Sequence, residues 1–150
     1  FDYYLQACEA FQAIYGERNY RMAYIFDSLA RVCEALNVDE KLIEYLFKAY
    51  DLNKSLFGDE LLKTLEFYRR LAAAYFNLGS DQEAYLYLNS AAEIVEEIDG
   101  EKHPSLKCYY ESLASLSKNL GDEKKAEEHL QAALLIEKEV LLVEHEKNFA

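Results

Sequence analysis

Proline occurs once in this sequence and glycine five times. With so few helix breakers the chain is expected to be dominated by long helices. No apolar run approaches the ~20 residues that a membrane-spanning helix needs, which excludes a transmembrane segment. Cations are scarce as well: 16 Lys and Arg face 28 Asp and Glu, a formal charge of −12. That balance excludes nucleic acid as a partner, because phosphates require Lys and Arg to neutralise them. It equally disfavours an anionic membrane surface. The three cysteines, Cys8, Cys33 and Cys108, form no CxxC pair. They read as reduced, buried thiols of an intracellular, cytoplasmic protein. There is no initiator methionine and no signal-peptide pattern, so an excised or processed piece is expected. About half the residues are apolar, which excludes general disorder. A chain of 150 residues can bury the core of one domain.

What is present is a repeat. Residues 68–92 read YRRLAAAYFNLGSDQEAYLYLNSAA, and 42 residues later 110–134 read YESLASLSKNLGDEKKAEEHLQAAL. Tyr68, Leu71, Ala72, Ala84, Leu88 and Ala91 recur as Tyr110, Leu113, Ala114, Ala126, Leu130 and Ala133. One period earlier, the same register holds Phe26, Leu29, Ala30, Leu46 and Ala49. A fixed period of this length marks a repeat architecture.

Each unit contains two amphipathic patterns separated by a short polar turn. The first spans 23–36, 65–78 and 106–120 and stops at Asn37, Gly79 and Gly121, residues that accept the left-handed helix-end conformation. The second opens with Asp39, Asp81 or Asp122, which suit the positive end of a helix. Further breaks follow at Gly16, Gly58 and Gly100, and Pro104 suits the first position of a new helix. The units are thus helix hairpins at 22–63, 64–105 and 106–150, preceded at 1–21 by the second helix of an incomplete unit. Successive hairpins must stack to bury their faces. The alanines admit close helix approach while Tyr68 and Tyr110 fill the wider gap beside them. Residues Phe1, Tyr4, Leu5, Cys8 and Phe11 would lack part of their packing partner. An array cut on its N-terminal side accounts for this, and a homodimer through exposed terminal helices is the alternative. At the other end Leu141, Leu142 and Val143 stand where a break would fall, so the last helix is expected to run to about Glu146 as a cap.

Aromatic-x-x-Leu-Ala-x-x-Tyr followed by Ala-x-x-x-Leu-x-x-Ala resembles the tetratricopeptide repeat, best over residues 65–98 and across nearly the whole chain. The 42-residue unit with its Gly-x-x-His-Pro-Ser link, Gly100–Ser105, looks like the kinesin-light-chain type. Similar units occur in clustered-mitochondria proteins and in SET/MYND lysine methyltransferases. The resemblance implies an all-α fold, a right-handed superhelical stack of about seven helices forming an α-solenoid.

Catalytic patterns are missing: there is no HExxH, no glycine-rich phosphate loop and no G-x-S-x-G. His129 and His145 are sixteen residues apart on one helix, too far for one metal site, and His103 belongs to the link. Neither an enzyme nor a cofactor or metal is expected, and function must reside in a surface. The resemblance implies that the first helices line a concave groove for a protein or peptide partner. Its positions are Tyr24, Asp27, Ser28, Arg31, Glu34 and Ala35, then Glu66, Arg69, Arg70, Ala73, Phe76 and Asn77. The last unit supplies Cys108, Glu111, Ser112, Ser115, Lys118 and Asn119. Those eighteen positions sum to zero charge in a chain of −12, with Arg31, Arg69 and Arg70 toward the middle. Arginine forks suit carboxylates, so an acidic or C-terminal peptide segment is the expected ligand. The alternative is that these arginines pair with Asp27, Glu66 and Glu111 of the chain itself and bind nothing. The clamp of chaperone-tail-binding repeats is absent, since its positions hold Asp27, Arg31, Arg70, Cys108 and Ser112. A self-associating structural segment and the helical regulatory region of a larger enzyme are the alternative readings.

Overall fold

The computed structural model describes residues 2–15 and 20–149, the side chains of Tyr4 and Tyr15 excepted. Phe1 and the break expected at Gly16 lie outside the described residues. Seven helices and no strand occur among them: α1 (Asp2–Tyr15), α2 (Tyr20–Ala35), α3 (Asp39–Phe57), α4 (Leu61–Asn77), α5 (Asp81–Asp99), α6 (Leu106–Asn119) and α7 (Glu123–Phe149). Contacts divide the chain into two units, Phe1–Gly79 and Ser80–Ala150.

In the first unit α1 packs on α2, α2 on α3 and α3 on α4. Its core joins Met22, Leu29 and Cys33 of α2 to Leu42, Leu46 and Ala49 of α3 and to Leu71 and Ala72 of α4. Aromatic rings close the α3–α4 seam. Phe67 stacks on Tyr50 at 4.0 Å and meets the edge of Phe47 at 5.3 Å. In the second unit α6 packs on both α5 and α7. Ala84, Ala91, Ala92 and Val95 of α5, Leu106, Leu113 and Ala114 of α6, and Ala126, Ala133 and Ile136 of α7 form that core.

The 42-residue register reappears as burial. Leu29, Leu71 and Leu113 are each 0% exposed, and the alanines that follow them are at most 5% exposed. Small beside large is therefore built into every first helix, and enlarging the small partner overpacks the crossing. Ala72→Leu is expected to lose about 1–3 kcal/mol, read as a lower urea midpoint.

Helix ends follow the punctuation, with differences at Pro104 and at the end of the last helix. Asn37 adopts φ 54° and Gly79 φ 76°, in the left-handed region. At Asn37 the chain closes with Val38 N–H donating to the Cys33 carbonyl at 2.9 Å, a six-to-one helix-end bond. A methyl group at Gly79 would meet nothing within 4 Å, so the cost of alanine there is conformational only. Gly79→Ala should destabilise by about 1–2 kcal/mol, while Asn37→Gly should gain a few tenths; paired thermal melts would check both. Of the three aspartates only Asp122 caps with its side chain, accepting from Lys125 N–H at 3.0 Å. Asp39 and Asp81 sit inside the first turn, where they act on the helix dipole. Pro104 precedes α6 by two residues, because the His103 carbonyl takes Leu106 N–H in a tight turn. The last helix continues to Phe149, three residues beyond the expected Glu146. Among the free cysteines Cys8 and Cys33 are buried and Cys108 is exposed.

Candidate functional site

The first unit carries a polar face on α2 and α4 that centres on Arg70. Its guanidinium donates from Nη1 to Asp27 Oδ1 at 2.7 Å and from Nε to Glu34 Oε1 at 2.6 Å. Those acceptors lie 43 and 36 residues back along the chain, close to one repeat period, so the bonds tie one first helix to the next. Arg31 Nε reaches the other Asp27 oxygen at 3.0 Å. Burial alone would raise Asp27, yet the bonds from Arg31 and Arg70 outweigh it and hold the carboxyl below its ordinary range. Arg70 stays charged because the same carboxylates outweigh its own desolvation.

Only 15% of the Arg70 side chain is exposed. Its Nη2 is buried and has no hydrogen-bond partner among the described residues. An orphaned buried donor is costly, commonly about 1–3 kcal/mol, and so demands an explanation. Depressions lie on either side of this guanidinium. One, of about 720 Å³, is lined by Asn37, Asp39, Glu66, Arg69, Ala73 and Asn77 among others. The other, of about 410 Å³, is lined by Tyr20, Tyr24, Tyr50, Phe57, Lys63 and Phe67, with Asp27 and Arg31.

The structure therefore gathers Tyr24, Asp27, Arg31, Arg69, Arg70, Ala73 and Asn77 around two adjoining depressions. Ser28 turns away from such a role by donating to its own helix at the Tyr24 carbonyl, 2.9 Å distant. Arg31 and Arg70 are committed to carboxylates, whereas exposed Arg69 has no ion pair among the described residues. Asn77 donates to Asp39 at 3.3 Å. In the second unit Glu111, Ser112, Ser115, Lys118 and Asn119 are all exposed on α6. Glu111 has a loose ion pair with Lys107 at 3.8 Å.

Tyr20 and Phe57 line these depressions without having been singled out in the sequence, and Asn37 and Asp39, read there only as helix ends, line them too. The signal for Asp39 was its place one residue inside α3, beside the end of the preceding helix.

The second unit holds a polar cluster of a different kind. The Tyr85 hydroxyl lies 3.0 Å from His129 Nε2, and the Tyr110 ring stacks on that imidazole at 6.1 Å. Tyr110 in turn donates to Glu96. Burial pushes the Tyr110 hydroxyl far up, and the Glu96 carboxylate adds to the shift. Burial lowers His129, Lys125 adds to the fall and Glu128 opposes it. His129 so joins α5, α6 and α7 as a neutral ring. A depressed histidine stabilises the fold above its ordinary value of 6.5, and that stability is lost as pH falls through the folded value. Melting temperature should accordingly decline below about pH 6.5, and His129→Phe should flatten that decline.

No helix among the described residues is long and apolar enough to cross a membrane. The signature of the tetratricopeptide repeat matches residues 63–139, 77 of the 150. Among curated proteins none matches this chain. BtubC (BKLC) from P. vanneervenii superposes with a TM-score of 0.70 at 22% identity, over 93% of this chain and 56% of that one. A Podospora anserina protein of kinesin-light-chain type, with nearly identical TPR-like repeats, gives 0.66 at 22%, over 91% and 65%. A Gln-to-Met form of that same fungal protein gives 0.62 at 23%, over 92% and 68%. The chain thus spans 56% and 65% of the first two proteins it superposes on. The 42-residue register and these likenesses agree on a fold of repeated helix hairpins similar to that of the solved kinesin-light-chain-type structures, and the chain belongs to the tetratricopeptide repeat family.

Proposed function

We propose that this chain is a protein-interaction module, an adaptor or scaffold segment that takes a peptide along the first-helix face of its repeats at 22–63, 64–105 and 106–150. The repeat fold supports the interaction role, and the carboxylate preference rests on one observation. Arg70 Nη2 is buried and unpartnered beside the uncompensated Arg69. A ligand carboxylate in that depression would pair with Arg69, and a small shift of the neighbouring guanidinium would bring the unpartnered Arg70 donor to it. Acidic side chains and a free C-terminus supply this same group. Asn77 and Asn37 stand in the same depression as backbone-binding amides. No catalytic role is assigned to the chain, and its free thiols support a reducing, cytoplasmic setting.

The test is affinity selection from random dodecamer peptides presented either as free C-terminal acids or as C-terminal amides. Selected acidic or free-acid sequences should lose binding about tenfold or more with Arg69→Glu. They should lose it equally with Ala73→Trp, which fills the depression from an exposed position and leaves every ion pair intact. Selection of neutral or basic sequences, or indifference to both variants, would sink the carboxylate reading. Wild-type chain that self-associates, and loses this with the same two variants, would make the face a homotypic contact instead.

A further inference from the structure

Helix α7 is apolar on two opposite sides. Ala126, Ala133 and Ile136 are buried against the unit, and Val140 is half-buried along the same line. On an ideal helix Leu135, Leu142 and Phe149 fall within about 40° of a line on the opposite side, with Leu134 and Leu141 beside them. These five are 50–80% exposed: Leu134 53%, Leu135 63%, Leu141 58%, Leu142 63% and Phe149 80%. Such a stripe is not what the repeat requires. The positions 42 and 84 residues before Leu135 hold Glu93 and Asp51, both exposed and acidic. At Leu135 the earlier units are thus solvated, whereas at Leu134 they already hold buried Ala92 and half-buried Tyr50. What is particular to α7 is the line Leu135, Leu142 and Phe149, whose seven-residue spacing is that of a helix-pairing seam.

Charge decides what covers it. The second unit, residues 80–150, carries 16 acidic and 7 basic residues, a net −9. Glu128, Glu139 and Glu146 form a row along one edge of the stripe, about 40–60° from the Leu142 line. Glu139 shares its charge with Lys102 at 2.6 Å, while Glu128 and Glu146 have no ion pair among the described residues. A second copy would bring another unit of −9 against this edge, and like charges set face to face are repulsive.

We propose that the outer face of α7 is a second docking surface, separate from the Arg70 depressions, which takes a cationic amphipathic helix from a partner protein. The partner helix presents apolar residues at heptad spacing to Leu135, Leu142 and Phe149 and places Lys or Arg beside Glu128, Glu139 and Glu146. Lys138 and His145 lie within the stripe, where their apolar stems add contact area while their polar ends reach water.

The probe is a labelled three-heptad synthetic helix with leucine at a and d positions and lysine at e and g. Its control carries glutamate at e and g. The lysine peptide should bind the 150-residue chain at least about tenfold tighter than the control, by fluorescence anisotropy at physiological salt. Leu142→Asp should remove most of that binding. This variant adds a negative charge and would strengthen mere nonspecific attraction, so its loss reports the apolar seam. Residues 141–149 are all exposed, so the substitution lies outside the core, and unchanged helicity would confirm an intact fold. Equal binding of the two peptides, or binding that survives Leu142→Asp, overturns the proposal. So does a wild-type dimer that Leu142→Asp dissociates, which would assign the face to a second copy. Failure of a longer chain, extended past residue 150, to bind the probe would assign it to the chain's own continuation.

Discussion

Leu71→Ala is expected to lower stability by about 3–5 kcal/mol, the upper part of the range for buried leucine truncation. The side chain is 0% exposed and stands in α4 beside Ala72 and Ala74, both also buried. Small neighbours have few atoms with which to fill a void, and the nearby aromatic Phe67 is held between two rings of α3. The cavity should therefore stay open instead of collapsing. Urea unfolding should show the midpoint falling at unchanged slope, because the loss lies in the native packing and not in the exposed area of the unfolded chain. Leu62→Ala, at a position 69% exposed on the same helix, should stay within about 0.5 kcal/mol. A Leu71 loss below about 1 kcal/mol would mean that the α3–α4 seam relaxes around its leucine and is not close-packed.

Replacing Arg70 by methionine should cost about 2–3 kcal/mol. Breaking a buried ion pair by removing one partner costs about 3–5 kcal/mol. Here Asp27 and Glu34 keep 33% and 39% of their side chains exposed, so water relieves part of the loss. The signature is its dependence on pH. Asp27 is depressed in the native state, so its contribution is complete above the ordinary carboxylate value of 3.8 and is lost as pH falls through the lower folded value. Wild type and Arg70→Met should differ most near neutrality and converge in acid. Adding Asp27→Asn and Glu34→Gln to Arg70→Met should restore part of the stability, because no uncompensated carboxylate then remains. A constant difference across pH, or a triple variant no better than the single one, would show that the loss comes from packing of the arginine stem.

The fold was legible because a repeat writes the same physical demand several times over. Leu29, Leu71 and Leu113 are each ordinary in isolation; their common register, with alanine always next, specifies one packing solution. Asn37 and Gly79 were equally readable, since few residues tolerate the backbone that ends those helices. The polar face was only half readable. Periodicity places Asp27, Arg31 and Arg70 on one face but does not say which carboxylate each arginine takes. The partner Glu34 lies 36 residues from Arg70, a separation that no local pattern encodes. Pro104 misled by a different route: its ring suits a helix start, yet the His103 carbonyl closes a tight turn first. The outer side of α7 was hidden because apolar residues on both faces of a helix carry no single period, and Leu141, Leu142 and Val143 read simply as a missing break.

The cysteines have a practical corollary in reactivity. The thiolate is the attacking form, and burial pushes both Cys8 and Cys33 up, away from it, while also closing them off. Cys108 alone is open to reagents, on the same helix as Glu111 and Ser115. An alkylating dye under native conditions should therefore mark a single known atom of the natural sequence, giving an optical reporter on α6 without any engineered thiol.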